Sequence, residues 1–130
     1  MEDRIRDAVD SLVGKNGTRD PFALCRSLDI VVYYAPLAGK VRALTYRVFG
    51  KTVVCLDERL NDAEQTVVLA HELGHCVLHP DADAFFLSRA TFVPVSRLER
   101  QADRFARRLL AGASLDLSDA DPAIQAILLP

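Results

Sequence analysis

His71-Glu72-Leu73-Gly74-His75 puts two imidazoles four residues apart inside an apolar stretch, and this constrains the fold more than any other feature of the chain. In a helix, positions i and i+4 stand one above the other on one face. The sequence around the motif predicts such a helix over 62–78. Asn61, with Glu64 three residues on, forms a capping-box signature, and Pro80 marks the end. Val67-Val68-Leu69-Ala70 leads in, and Leu69, Leu73, Cys76 and Val77 fall away from the histidines, so little of the helix faces water. Two imidazoles in a mostly buried element need polar partners. At this spacing both ring nitrogens can reach one divalent cation. Glu72 projects about a third of a turn from His71. That is a poor position for a third ligand and a good one for taking a proton from a water activated by the cation. The pattern points to a metal-dependent hydrolase, with a peptidase the foremost case.

A catalytic zinc site takes three protein ligands and keeps one position open. Glu99 is the candidate third ligand. It opens a second predicted helix, residues 97–111, in which Glu99, Ala102, Asp103, Ala106 and Leu110 share one side. The two alanines allow close approach to the histidine helix. Asp103, one turn after Glu99, can accept a hydrogen bond from the far nitrogen of a ligand histidine and so fix its tautomer. Ser96-x-x-Glu99 also fits a capping box, which would turn Glu99 back toward the Ser96 amide. His79, four residues after His75, offers a competing ligand pair, but no glutamate lies between those two. Gly74 costs roughly 1 kcal/mol inside a helix, which implies close approach by backbone or ligand. Tyr46, His79 and Arg89 are candidate oxyanion donors.

The rest of the sequence reads as an α+β scaffold. A short amphipathic helix over 3–13 is ended by Gly14 and Gly17. A second helix starts at Pro21 behind an Asp20 cap and runs to about Leu28. Strands are predicted over 30–34, 41–49 and 52–56, the last two joined at Gly50-Lys51. Residues 80–96 read as loop, with Phe85, Phe86, Leu87 and Phe92 serving as a substrate-side lid or as core plugs. A short helix lies near 122–128. Arg100, Arg104, Arg107 and Arg108 form either a solvated face or a docking patch for an acidic partner. A net charge of −2 gives no strong attraction to nucleic acid or anionic lipid. Cys25, Cys55 and Cys76 lack CxxC spacing and read as reduced cytoplasmic thiols. The charged amino terminus is no secretory signal, and no stretch approaches a membrane span.

HELGH followed by Cys76-Val77-Leu78-His79, Phe85-Phe86-Leu87 and Glu99-Arg100-Gln101-Ala102-Asp103-Arg104-Phe105-Ala106 resembles the ImmA/IrrE-type metallopeptidases. Asp20-Pro21-Phe22, Leu28 to Val32 and Val53 to Asp57 resemble the usual lead-in, so the likeness spans roughly residues 20–111. The resemblance implies one zincin-like metallopeptidase domain over residues 1–130, with a small, mostly antiparallel sheet packed on the HExxH helix and on a second ligand-bearing helix. It further implies Zn2+ held by His71, His75 and Glu99, with Glu72 as general base. Asp103 stands where many relatives carry Asn, and it keeps the hydrogen-bonding role. Relatives are cytoplasmic proteases that cleave helix-turn-helix repressors. The expected partner is therefore a separately encoded repressor, with no direct nucleic-acid contact. A second reading is a non-proteolytic module that uses the same fold to hold a repressor or toxin partner. Some relatives carry a DNA-binding or sensor module, which 130 residues are too few to add.

Overall fold

A computed structural model describes residues 2–80 and 95–129. Its elements run α1 (Glu2–Asn16), α2 (Pro21–Ser27), β1 (Val31–Ala35), β2 (Ala43–Val48), β3 (Lys51–Asp57), α3 (Asp62–Leu78), α4 (Val95–Leu109) and α5 (Pro122–Ile127). The mixture is α+β, as expected for a small zincin-like domain. The three strands lie in the order β1-β3-β2. β3 pairs parallel with β1 and antiparallel with β2, so the sheet is mixed rather than mostly antiparallel.

The register decides which side chains face the helices. Residues directly opposite on paired strands point to the same face. Val54 is fully buried in the core, and its neighbours are Val32 on β1 and Thr45 on β2. Thr45 therefore faces the helical layer. Tyr46 and Tyr33, opposite Val53 and Cys55, lie on the other face, where their hydroxyls are 2.5 Å apart. The core joins Ile5 and Val9 of α1, Leu24 of α2 and Val54 and Leu56 of β3 to Val67, Leu69 and Leu73 of α3, Phe105 and Leu109 of α4 and Ile124 of α5.

Local chemistry explains most boundaries. Asn61 accepts from the Glu64 amide while Glu64 accepts from the Asn61 amide, which completes the capping box of α3. Asp20 caps α2 ahead of Pro21. α1 runs through Gly14 and stops only at Gly17, whose φ of +65° releases the chain. The β2–β3 turn is Phe49-Gly50 rather than Gly50-Lys51. Both residues have positive φ, as a type I′ turn demands, and Lys51 already pairs with Val48.

Gly74 is explained by a side chain rather than by backbone or ligand. A Cβ there would meet the Phe105 Cβ at 3.0 Å and its ring carbons at 3.1 and 3.2 Å. Phe105 is fully buried, and its Cβ cannot move without α4. Ala102 and Ala106 are likewise fully buried on α4. Gly74→Ala is expected to lower stability by about 1–3 kcal/mol through overpacking, exceeding the roughly 1 kcal/mol gained in helix propensity. Urea unfolding of the chelated protein measures this, and an unchanged midpoint would mean that α3 and α4 can part without loss.

Of Arg100, Arg104, Arg107 and Arg108 on α4, three make contacts within the fold, while Arg100 stays exposed. Arg104 pairs with Glu2, Arg108 with Asp10, and Arg107 donates to the Ile127 and Leu129 carbonyls. They stitch α4 to α1 and to the α5 end. Cys25 and Cys55 are buried and Cys76 is partly buried, all as free thiols. Burial pushes Cys25 and Cys76 up to about 12, which keeps them protonated packing groups. Among the described residues, no helix is long and apolar enough to cross a membrane. The predicted lid residues Phe85, Phe86, Leu87 and Phe92, together with Arg89, lie outside the described residues.

Candidate metal centre

α3 and α4 meet along the face that carries the motif. His71 is buried, and His75 stands one turn on, its ring centroid 4.9 Å away and nearly perpendicular. Glu99 reaches across from α4. One of its carboxylate oxygens lies 3.1 Å from His71 Nε2 and the other 2.7 Å from His75 Nε2. The capping alternative is thereby excluded, since both oxygens serve imidazoles and Ser96 already lies inside the helix. One ligand atom from each of His71, His75 and Glu99 lies within 4.8 Å of the others. Two imidazole nitrogens and one carboxylate are a donor set suited to a divalent cation such as zinc. Asp103 Oδ1 lies 2.8 Å from His71 Nδ1, so that nitrogen donates its proton and the Nε2 lone pair is left for a cation.

The electrostatics follow from these contacts. Burial opposes a charge on His71, but hydrogen bonds to Asp103 and Glu99 outweigh it and raise the imidazole to about 10. Burial likewise opposes the Glu99 charge, and the His71 and His75 contacts overcome it, holding the carboxyl well below its ordinary value. In the metal-free protein, a proton thus does part of the work a cation would do. The sign is definite. The His71 contribution is fully present below its ordinary 6.5 and is lost as pH rises toward about 10. The Glu99 contribution is present above its ordinary 4.5 and is lost in acid. Thermal midpoints of the chelated protein are expected to fall from pH 6.5 to 10, and His71→Phe is expected to flatten that slope. A wild-type midpoint that rises over this range contradicts the assignment.

Residues 25–115 match the family described as the IrrE N-terminal-like domain of the M78 peptidases. The chain belongs to the ImmA/IrrE family. It is 33% identical over 106 residues to uncharacterized immunity region protein 2 of Bacillus phage phi105, covering 82% of this chain and 67% of that protein. It is 29% identical over 122 residues to metallopeptidase ImmA of Bacillus subtilis strain 168, covering 93% of this chain and 70% of that one. The ImmA/IrrE assignment places this domain in a metallopeptidase family, and its His71, His75 and Glu99 form a group able to hold a metal.

Three further side chains complete the picture. The Thr45 hydroxyl donates to Glu72 Oε2 at 2.7 Å, a contact that sequence reasoning missed because it depends on which strand lands beside α3. His79 is not part of the converging group. Its Nδ1 lies 3.1 Å from His75 Nδ1 and its Nε2 lies 2.7 Å from Gln101 Oε1. Tyr46 sits on the sheet face away from α3 and is no oxyanion donor in this arrangement.

Proposed function

We propose that this ImmA/IrrE domain is a zinc-dependent endopeptidase that cleaves a separately encoded helix-turn-helix repressor in the cytoplasm. The observation that carries the reading is the convergence of His71, His75 and Glu99, with Glu72 beside them on α3. His71, His75 and Glu99 hold the zinc, and Asp103 orients His71. A zinc ion held there would supply Lewis acidity toward a water and a peptide carbonyl. Glu72 accepts the proton from the attacking water and delivers it to the leaving amine. Thr45 holds Glu72 by one oxygen, which limits its rotation. The same contact identifies β2, an edge strand of the sheet, as the edge nearest the general base. An extended substrate segment paired with β2 by main-chain hydrogen bonds would lie across the site. The name of the phage relative, an immunity region protein, supports a repressor as substrate.

The test is incubation of the purified protein with the repressor encoded beside its gene, with zinc and with a chelator. Specific cleavage that chelation abolishes supports the proposal. Tight association of the two proteins without cleavage, under zinc-replete conditions, supports the non-proteolytic module instead.

A further inference from the structure

The two ligand histidines are oriented by different means. His71 has a carboxylate, Asp103, on its outer nitrogen. Among the described residues, His75 has no carboxylate there. Its Nδ1 meets another imidazole, His79, at 3.1 Å, and His79 in turn meets Gln101 at 2.7 Å. Gln101 is buried at 5% exposure, a setting in which an amide is retained only with partners for its polar atoms.

The chain of contacts has a definite direction. Gln101 presents its Oε1, which can only accept, so His79 Nε2 carries a proton and donates it. A neutral His79 then has an unprotonated Nδ1, which accepts from His75 Nδ1–H. With the Nδ1 proton of His75 fixed, Nε2, which donates to Glu99 at 2.7 Å in the metal-free protein, is the nitrogen left to bind a cation once the Nε2 proton is displaced. Backbone geometry holds the relay in place. The His79 amide still donates to the His75 carbonyl at 2.8 Å, which keeps the two rings on one side of the helix end. Arg4 donates to the neighbouring Leu78 carbonyl and pins that end to α1.

We propose that Gln101 is a positioning residue for the metal centre, acting through His79 to hold the His75 imidazole with Nδ1 protonated and Nε2 free for the cation. This rests on the reading of His71, His75 and Glu99 as ligands. Outer partners of ligand histidines typically change metal affinity about 10- to 100-fold when removed. Gln101→Leu deletes the acceptor, and Gln101→Glu restores one in a side chain of the same length.

The experiment measures zinc affinity by competition with a chromophoric chelator for the wild type and both variants. It is paired with imidazole nitrogen NMR of the zinc-loaded proteins and thermal midpoints of the chelated ones. Gln101→Leu is expected to bind zinc about 10-fold more weakly or worse. It should also lose the single Nε2-protonated form of His79, and Gln101→Glu should recover both properties. If Gln101→Leu fails to fold, Gln101→Glu and the wild-type tautomer decide. A wild type whose zinc-bound form carries the His79 proton on Nδ1 overturns the relay. So does a folded Gln101→Leu with wild-type affinity and tautomer, while the ligand assignment stands. A wild type that takes up no zinc overturns both.

Discussion

Glu72→Gln is expected to retain one zinc per chain and to lose repressor cleavage by about 10²- to 10⁴-fold, the range for removing a positioned proton-transfer group. The substitution suits the site because glutamine keeps the length of the side chain and one carbonyl oxygen. The Thr45 hydroxyl can still donate to that oxygen, as it does to Glu72 Oε2 at 2.7 Å. The local packing between β2 and α3 therefore survives, and His71 and His75 are untouched. What goes is the ability to accept a proton from water and return it to an amine. Zinc content by elemental analysis and cleavage by electrophoresis separate the two effects. Full cleavage by Glu72→Gln would remove Glu72 from the chemistry. Undiminished relief of repression in cells without cleavage would favour the non-proteolytic module.

The sequence disclosed those parts of the molecule whose cause is local. α3 occupies 62–78 as expected because Asn61, Glu64 and Pro80 are signals within its own ends. The His71–His75 pair and the Glu99–Asp103 pair are both helical spacings, so each could be read within one element. Their convergence depended on α3 and α4 lying close, and the signal for that was Gly74 with Ala102 and Ala106. The sequence marked Gly74 as a close approach, but only the structure showed Phe105 to be what approaches. Thr45 and Gln101 were not legible for the same reason. Thr45 belongs to the site because β2 takes the edge beside α3. Gln101 lies about 200° around the helix from Glu99, off the face that the acidic pair defined, yet it is buried against the end of α3. The hairpin turn was misplaced by one residue because a bulky Phe49 at positive φ runs against the usual turn chemistry.

Glu99→Ala is expected to abolish zinc binding at micromolar metal, and with it all chelator-sensitive cleavage. Among the described residues, Glu99 alone bridges both imidazoles, one oxygen to each Nε2, and it is the anionic member of the three. Its removal leaves a two-histidine site, short of the three protein ligands that catalytic zinc sites use. The result is separable from unfolding by linkage. A ligand that binds only the folded state raises stability by RT ln(1 + [L]/Kd), about 2.7 kcal/mol at one hundred times Kd. Zinc should therefore raise the wild-type thermal midpoint and leave that of Glu99→Ala unmoved, even though both chelated proteins unfold cooperatively. Asp103→Ala is the informative comparison. It touches His71 only from behind, so about 10- to 100-fold weaker binding is expected, with zinc stabilisation recovered at higher metal. If Glu99→Ala behaved like Asp103→Ala, the third ligand would have to come from another residue, and the centre built across α3 and α4 would be wrong.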